Sequence, residues 1–256
     1  VSVPAGVSSF IVRVATVNDG VVEGNETITL SAATAQNSAA VTGTGTITDG
    51  AVPTLSLTGP VDVNEAAGTL TYTVTLSSAS PASVTVNYGT ANGTATSGSD
   101  YTAGSGTLTF APGETSKTFT VAITNDTVFE GNENFQVNLT TPTNATIATG
   151  TVTTTIHDDG TGTGGNNDDR LTVTTVSSPS VGEGGNLDFT VNLSGTSTTA
   201  TTVNVTPSSG TATIGTDTGT QQYSTDGGVS WSTLSGSTVS VPAGVSSFIV
   251  RVATVN

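Results

Sequence analysis

The chain has 256 residues, with 19 Asp plus Glu against 4 Lys plus Arg and a formal net charge of −15. That balance excludes a nucleic-acid binder held by phosphate contacts. With neither Cys nor Met, disulfide frameworks, thiolate metal sites and cysteine nucleophiles are excluded as well, and the Thr- and Val-rich, weakly charged remainder suits strands rather than disorder.

In chain order, the first feature is a repeat. Residues 1–18, VSVPAGVSSFIVRVATVN, recur letter for letter at 239–256, a period of 238 residues. A weaker repeat lies inside that period: residues 3–30 align without a gap on 110–137, with 11 identities in 28. One period therefore holds two related domains, A and B, and the parent is expected to carry them many times in tandem. The expected organisation is the C-terminal half of an A domain at 1–50, a complete B domain at 51–160, a Gly-rich linker at 161–168 that is flexible unless something pins it, and the N-terminal part of the next A domain at 169–256.

Within 51–160 apolar residues alternate with Thr in segment after segment, the mark of half-buried strands. Strands are predicted around Leu55 and Leu57, Leu70 to Leu76, Val84 to Tyr88, Leu108 to Phe110, Phe119 to Ile123, Phe135 to Leu139, and Val152 to Ile156. No window has a helical period. About seven strands in some 110 residues predict an all-β fold, an immunoglobulin-like antiparallel β-sandwich, and the same count fits A once its halves are joined. In the front half of A, Asp226-Gly227-Gly228 between Tyr223 and Trp231 predicts a tight hairpin turn.

The acidic residues follow this frame. NDTVFEGNE carries Asp126, Glu130 and Glu133 in a loop between two strands, and NDGVVEGNE repeats the spacing with Asp19, Glu23 and Glu26. Each domain also has a Glu near its first strand, Glu65 or Glu183, and an acidic end, Asp158 and Asp159 or Asp49. A sandwich can bring these segments to one pole. With Asp100 included, seven B carboxylates would then converge, and two such charges about 4 Å apart repel by roughly 4 kcal/mol at an effective dielectric near 20. Calcium suits the neutralising role: it takes oxygen ligands in irregular geometry, whereas magnesium demands a stricter octahedron and zinc or copper would favour His and Cys.

The combination of Glu65, GSDY around Asp100, NDTVFEGNENF and IHDDG resembles the Calx-beta domain, the calcium-binding sandwich of sodium–calcium exchangers that recurs in integrin β4 and in large bacterial surface proteins. The resemblance covers all of B and, more loosely, both halves of A. It implies calcium ligation by Glu65, Asp100, Asp126, Glu130, Glu133, Asp158 and Asp159 at the pole facing the next domain. In A it implies a thinner set, Glu183, Asp19, Glu23, Glu26 and Asp49. Gly50 stands where B has Asp159, and Gln222 where B has Asp100, with Asp217 or Asp226 as substitutes.

Other residues read more plainly. His157 is expected as an exposed strand-end side chain, Lys117 as solvated, and Tyr223 and Trp231 as packed on the sheet rather than stacked on a sugar. Nucleotide-binding, zinc-protease and EF-hand motifs are all missing, so no enzyme is expected. The function implied is a calcium-binding structural repeat of an extracellular bacterial surface protein, calcium stiffening the interdomain joints of a rod or stalk. The expected partners are calcium and neighbouring repeats, with no nucleic acid and no membrane insertion by this segment. Two alternatives stand beside it: a self-assembling filament subunit whose split domain is completed by strand complementation from a neighbour, and an adhesive module binding carbohydrate or protein directly.

Overall fold

A computed structural model describes residues 1–17, 25–48 and 51–256. Residues 1–17 form no strand. After them, β1 (Glu26–Ala32) and β2 (Val41–Ile47) make an antiparallel hairpin, Glu26 opposite Ile47.

The central unit contains β3 (Thr54–Thr58), β4 (Asp62–Asn64), a single 3₁₀ turn at Glu65–Ala67, β5 (Thr69–Leu76), β6 (Val84–Asn92), β7 (Ser105–Phe110), β8 (Ser116–Ala122), β9 (Val128–Phe129), β10 (Glu133–Thr143), β11 (Thr146–Thr149) and β12 (Thr151–His157). They form two sheets, ordered β4-β12-β10-β6-β7 and β11-β3-β5-β8. All seven expected strands are present as β3, β5, β6, β7, β8, β10 and β12. The arrangement is a sandwich, antiparallel except where the short edge strands β4 and β11 pair in parallel with β12 and β3.

The alternation explains the packing. In β5, Leu70, Tyr72, Val74 and Leu76 are buried while the intervening Thr residues turn outward, as a period of two dictates. Phe119 of β8 stacks on Tyr72 at 5.5 Å and on Tyr88 at 3.9 Å between ring centroids, and Tyr101 stacks on Phe135 at 4.4 Å. The buried Tyr72 hydroxyl meets Thr154 Oγ1 at 2.5 Å, which donates in turn to the Pro60 carbonyl at 2.7 Å, so both of these buried hydroxyls are satisfied.

The C-terminal unit contains β13 (Val173–Val176), β14 (Asn186–Leu193), β15 (Thr196–Ser197), β16 (Thr201–Asn204), β17 (Thr218–Ser224), β18 (Ser232–Thr233), β19 (Thr238–Val241) and β20 (Ser247–Thr254). One sheet runs β13-β14-β20-β17-β18, facing a pair of strands, β16-β19. Its core is smaller, built on Val191, Leu193, Val203, Val239, Val241, Phe248 and Val250. Among the described residues β1 and β2 pair only with each other, so the two parts of the A domain are not joined here. The hairpin expected at Asp226 is present but not tight: Tyr223 pairs with Ser232 across the connection 225–231, in which Gly227 and Gly228 have positive φ and the Asp226 carboxylate accepts from the backbone of Val229 and Ser230.

Candidate metal centre

The sandwich places Glu65 on the 3₁₀ turn after β4, Asp100 in the loop after β6, Asp126 and Glu130 in the loop between β8 and β10, Glu133 at the start of β10 and Asp158 just past β12. Two carboxylate groups result, each with its oxygens within 4.8 Å: Glu65, Asp158 and Asp169, and Asp100, Glu130 and Glu133. Five of these six carboxylates, all but Asp169, border one small void of about 10 Å³, with Thr124, Gly131 and Ile156 completing its wall, enough for a single small ion or water.

Backbone amides fix part of this geometry. Asp126 N–H donates to Glu65 Oε1 at 2.7 Å, Glu130 N–H donates to Asp158 Oδ2 at 2.7 Å, and Thr96 N–H donates to Asp100 Oδ2 at 2.6 Å. The second oxygens of two groups are orphaned: Glu65 Oε2 and Asp158 Oδ1 are enclosed and have no hydrogen-bond partner. An unpartnered buried carboxylate oxygen is costly, and the protonation chemistry reflects it. Burial first, then the neighbouring Asp158, push Glu65 up to about 8 against the pull of the Asp126 amide. Glu130 and Glu133 are raised to about 7 by burial and by Asp100, and Asp158 to about 6, chiefly by burial. Clustered, mutually repelling carboxylate oxygens, two of them enclosed and unpartnered, are what a hard cation with oxygen ligands requires, so the residues present fit calcium.

Asp169 is the residue that sequence reasoning missed. It lies beyond the Gly-rich run, and what brings it to Asp158 is the folding of that run against the sandwich. Asn64 holds it: its Nδ2 donates to the carbonyls of Thr161 and Asn167 at 3.0 and 2.9 Å, and its Oδ1 accepts from the amides of Ala66 and Asn167 at 3.0 and 2.9 Å. Gly162 has φ +83° and lies so close that an added Cβ would meet the Val63 carbonyl carbon at 2.4 Å. The linker is therefore pinned, not flexible. The only signal in the sequence was the second Asp of NNDDR.

Asp159 does not join either group. Its carboxylate accepts from the Thr161 amide at 3.1 Å, and Thr161 holds it below the usual range; it secures the linker. Asp126 is exposed and caps Val128 N–H at 2.7 Å beside the groups. Glu183 and Glu26 are exposed and belong to neither carboxylate group among the described residues, while Asp19, Glu23 and Asp49 lie outside the described residues. In the C-terminal unit, the turn Thr213–Asp217 repeats the turn Thr96–Asp100, with Thr213 N–H donating to Asp217 Oδ2 at 2.7 Å. The positional counterpart of Asp100 is thus Asp217, not Gln222, and Asp226 is committed to its hairpin.

His157 departs from expectation. It is half-buried and bonds Asp62 on one side and Thr161 Oγ1 at 3.0 Å on the other. Lys117 pairs with Glu114 at 2.8 Å. Trp231 packs under the Arg251 guanidinium, 3.6 Å from the ring centroid, and Arg251 forms a two-pronged pair with Asp188 at 2.6 and 2.7 Å.

The sequence profile of the Calx-beta domain matches residues 3–51, 49–160 and 166–224. The chain belongs to the Calx-beta family. Calx-beta domains are non-catalytic binding modules, here in tandem. Sodium/calcium exchanger 1 of Canis lupus familiaris is 50% identical over 56 residues, 22% of this chain, and sodium/calcium exchanger 2 of Homo sapiens 48% identical over 54 residues, 21% of this chain. The chain covers 6% of the length of each exchanger. Among solved structures, the apo-form Calx CBD1 domain is 27% identical, covering 41% of this chain and 98% of its own, with a TM-score of 0.38. CBD12 from CALX1.2 is 20% identical, covering 78% of this chain and 76% of its own, with a TM-score of 0.40.

Proposed function

We propose that the chain is a calcium-binding structural segment of a large extracellular bacterial surface protein, built as a tandem of Calx-beta domains divided at 1–50, 51–160, 161–168 and 169–256. Calcium would rigidify the interdomain joints of a rod or stalk. The observation that carries this reading is the group Glu65, Asp158 and Asp169, in which two buried carboxylates of one unit meet a third from the start of the next.

A bound dication supplies positive charge that offsets the repulsion among these oxygens. The protein's own residues do the rest. Glu65 and Asp158 hold the loop between β8 and β10 through the amides of Asp126 and Glu130. That loop contains β9, which pairs in parallel with β15 of the C-terminal unit, and Thr198 N–H donates to the Phe129 carbonyl at 3.0 Å. Gly195 sits so near Thr127 that a Cβ would lie 2.7 Å from its carbonyl oxygen. Ordering the acidic loop therefore orders the surface on which the next unit rests. Because so little of the exchangers is covered, their transport activity carries nothing to this chain.

Small-angle scattering and thermal melting in calcium and in chelator test the reading. Calcium is expected to raise the melting temperature and sharpen the distribution of dimensions, and Asp158→Asn is expected to abolish both effects. Identical profiles in calcium and chelator would sink it.

A further inference from the structure

We propose that the central unit is a tension-bearing element: its first and last strands, with the linker that follows, form a clamp that a pull along the chain loads in shear. The chain runs on at both ends of this unit, to β2 before it and to β13 after it. A pull on the chain therefore enters at β3 and leaves through the linker.

Strand direction decides how that pull is carried. β3 pairs in parallel with β11, Thr54 opposite Thr146, and β4 in parallel with β12, Asp62 opposite Thr155 and Asn64 opposite His157. Only Gly150 separates β11 from β12. Thr146 N–H donates to the Pro53 carbonyl and Thr155 N–H to the Val61 carbonyl, both at 3.0 Å. Tension draws β3 and β4 backward from their first residues and draws β11 and β12 forward from the end of β12. In a parallel pair these opposed forces slide one strand along the other, so all the bonds between them resist together. Were the first and last strands antiparallel, the same pull would open them from one end, one closely spaced pair of bonds after another.

The linker adds a second grip. β4 is the edge of its sheet, and its other side takes the linker, again in parallel: Val63 bridges Thr163, Asn64 N–H donates to the Thr163 carbonyl at 2.9 Å, and Thr163 Oγ1 donates to the Asp62 carbonyl at 2.7 Å. β4 is thus held between two segments that are both drawn forward while it is drawn back. To reach that side the chain passes round the end of β4, a path that needs glycine: a Cβ at Gly165 would lie 2.7 Å from the Ala66 Cβ. The Asn64 side chain fastens the passage at Thr161 and Asn167. The group Glu65, Asp158 and Asp169 takes one carboxylate from the end of each of the three segments, β4, β12 and the linker. A dication there would bar all three from sliding; that increment rests on the calcium reading, whereas the backbone clamp does not.

Single-molecule pulling on the 256-residue chain, in calcium and in chelator, tests the proposal. The chain has no Cys, so pairs of introduced thiols define where the force acts. Ala51→Cys with Thr172→Cys pulls the clamp in shear. Ala51→Cys with Ala79→Cys, in the loop after β5, pulls the antiparallel β3–β5 pair apart from one end. At equal force in chelator, the central unit is expected to unfold at least about tenfold more slowly in the first geometry than in the second. Asn64→Ala is expected to speed the first at least about fivefold and to leave the second unchanged, and calcium to slow the first further. Equal rates in the two geometries, or an Asn64→Ala chain that speeds both alike or neither, would each overturn the proposal. A slow first geometry that calcium leaves unchanged would support the clamp and count against the calcium reading alone.

Discussion

One stretch of sequence occurs twice in this molecule with two fates. At 239–255 it supplies β19 and β20, the latter hydrogen-bonded between β14 and β17, and Phe248 is 1% exposed. At 1–17 the same letters form no strand, and Phe10 is 50% exposed. Intrinsic preference is identical in the two places, so it does not decide. The alternation fixes which side chains would share a face; partners on both edges and an opposing sheet decide whether a strand exists.

The sharpest way to break this comparison is to truncate the matched aromatic in each copy. Phe248→Ala is expected to cost the C-terminal unit about 3–5 kcal/mol, and Phe10→Ala less than about 0.5 kcal/mol. Trp231, the single Trp, lies in the C-terminal unit and reports its melting by fluorescence. Equal losses from both substitutions would mean that residues 1–17 are packed in solution.

A second, smaller effect contrasts the two units by pH. In chelator, the native central unit holds protons on Glu65, Glu130, Glu133 and Asp158 that the unfolded chain has released above about 4.5. Its stability therefore falls as pH rises toward 8, by an amount on the order of 2 kcal/mol once solvent screening is allowed for. The C-terminal unit runs the other way. Arg251 holds Asp188 below the usual carboxylate range, so that contribution is present at neutral pH and lost on acidification through the lowered value. Circular dichroism of the whole chain beside Trp fluorescence separates the two slopes, and parallel slopes would contradict the assignment.

The smallest effect sharpens the comparison. Arg251→Ala removes the pair with Asp188 and the cover of Trp231, with an expected loss of about 1 kcal/mol and a shifted Trp emission. Its sequence double, Arg13→Ala, is expected to change neither.

Much of the fold was legible. A polar residue, most often Thr, alternating with an apolar or aromatic one marks the principal strands of the central unit, because a half-buried strand needs that period. The acidic loop was legible too, since its spacing recurs at a fixed offset. Asp169 and Asn64 were not: their roles depend on a glycine run folding back against β4, and no local pattern encodes a backbone path chosen by tertiary contact. Asp217 was hidden because the longer connection around Tyr223 shifts the alignment, while the Thr-to-Asp turn that defines its position is short. His157 looked exposed because Asp62, its partner, is 95 residues away.

The Asn64 clamp turns the linker into a ruler. A glycine-rich run is ordinarily a place where lengths drift, since added residues cost little. Here one inserted residue between Thr161 and Asn167 would pull one end of the run off the Asn64 amide and carry Asp169 away from Asp158. In a long array, such a slip would change the rise and rotation from one unit to the next, and would do so again at every period. In such an array the pitch would be gauged by a single side-chain amide.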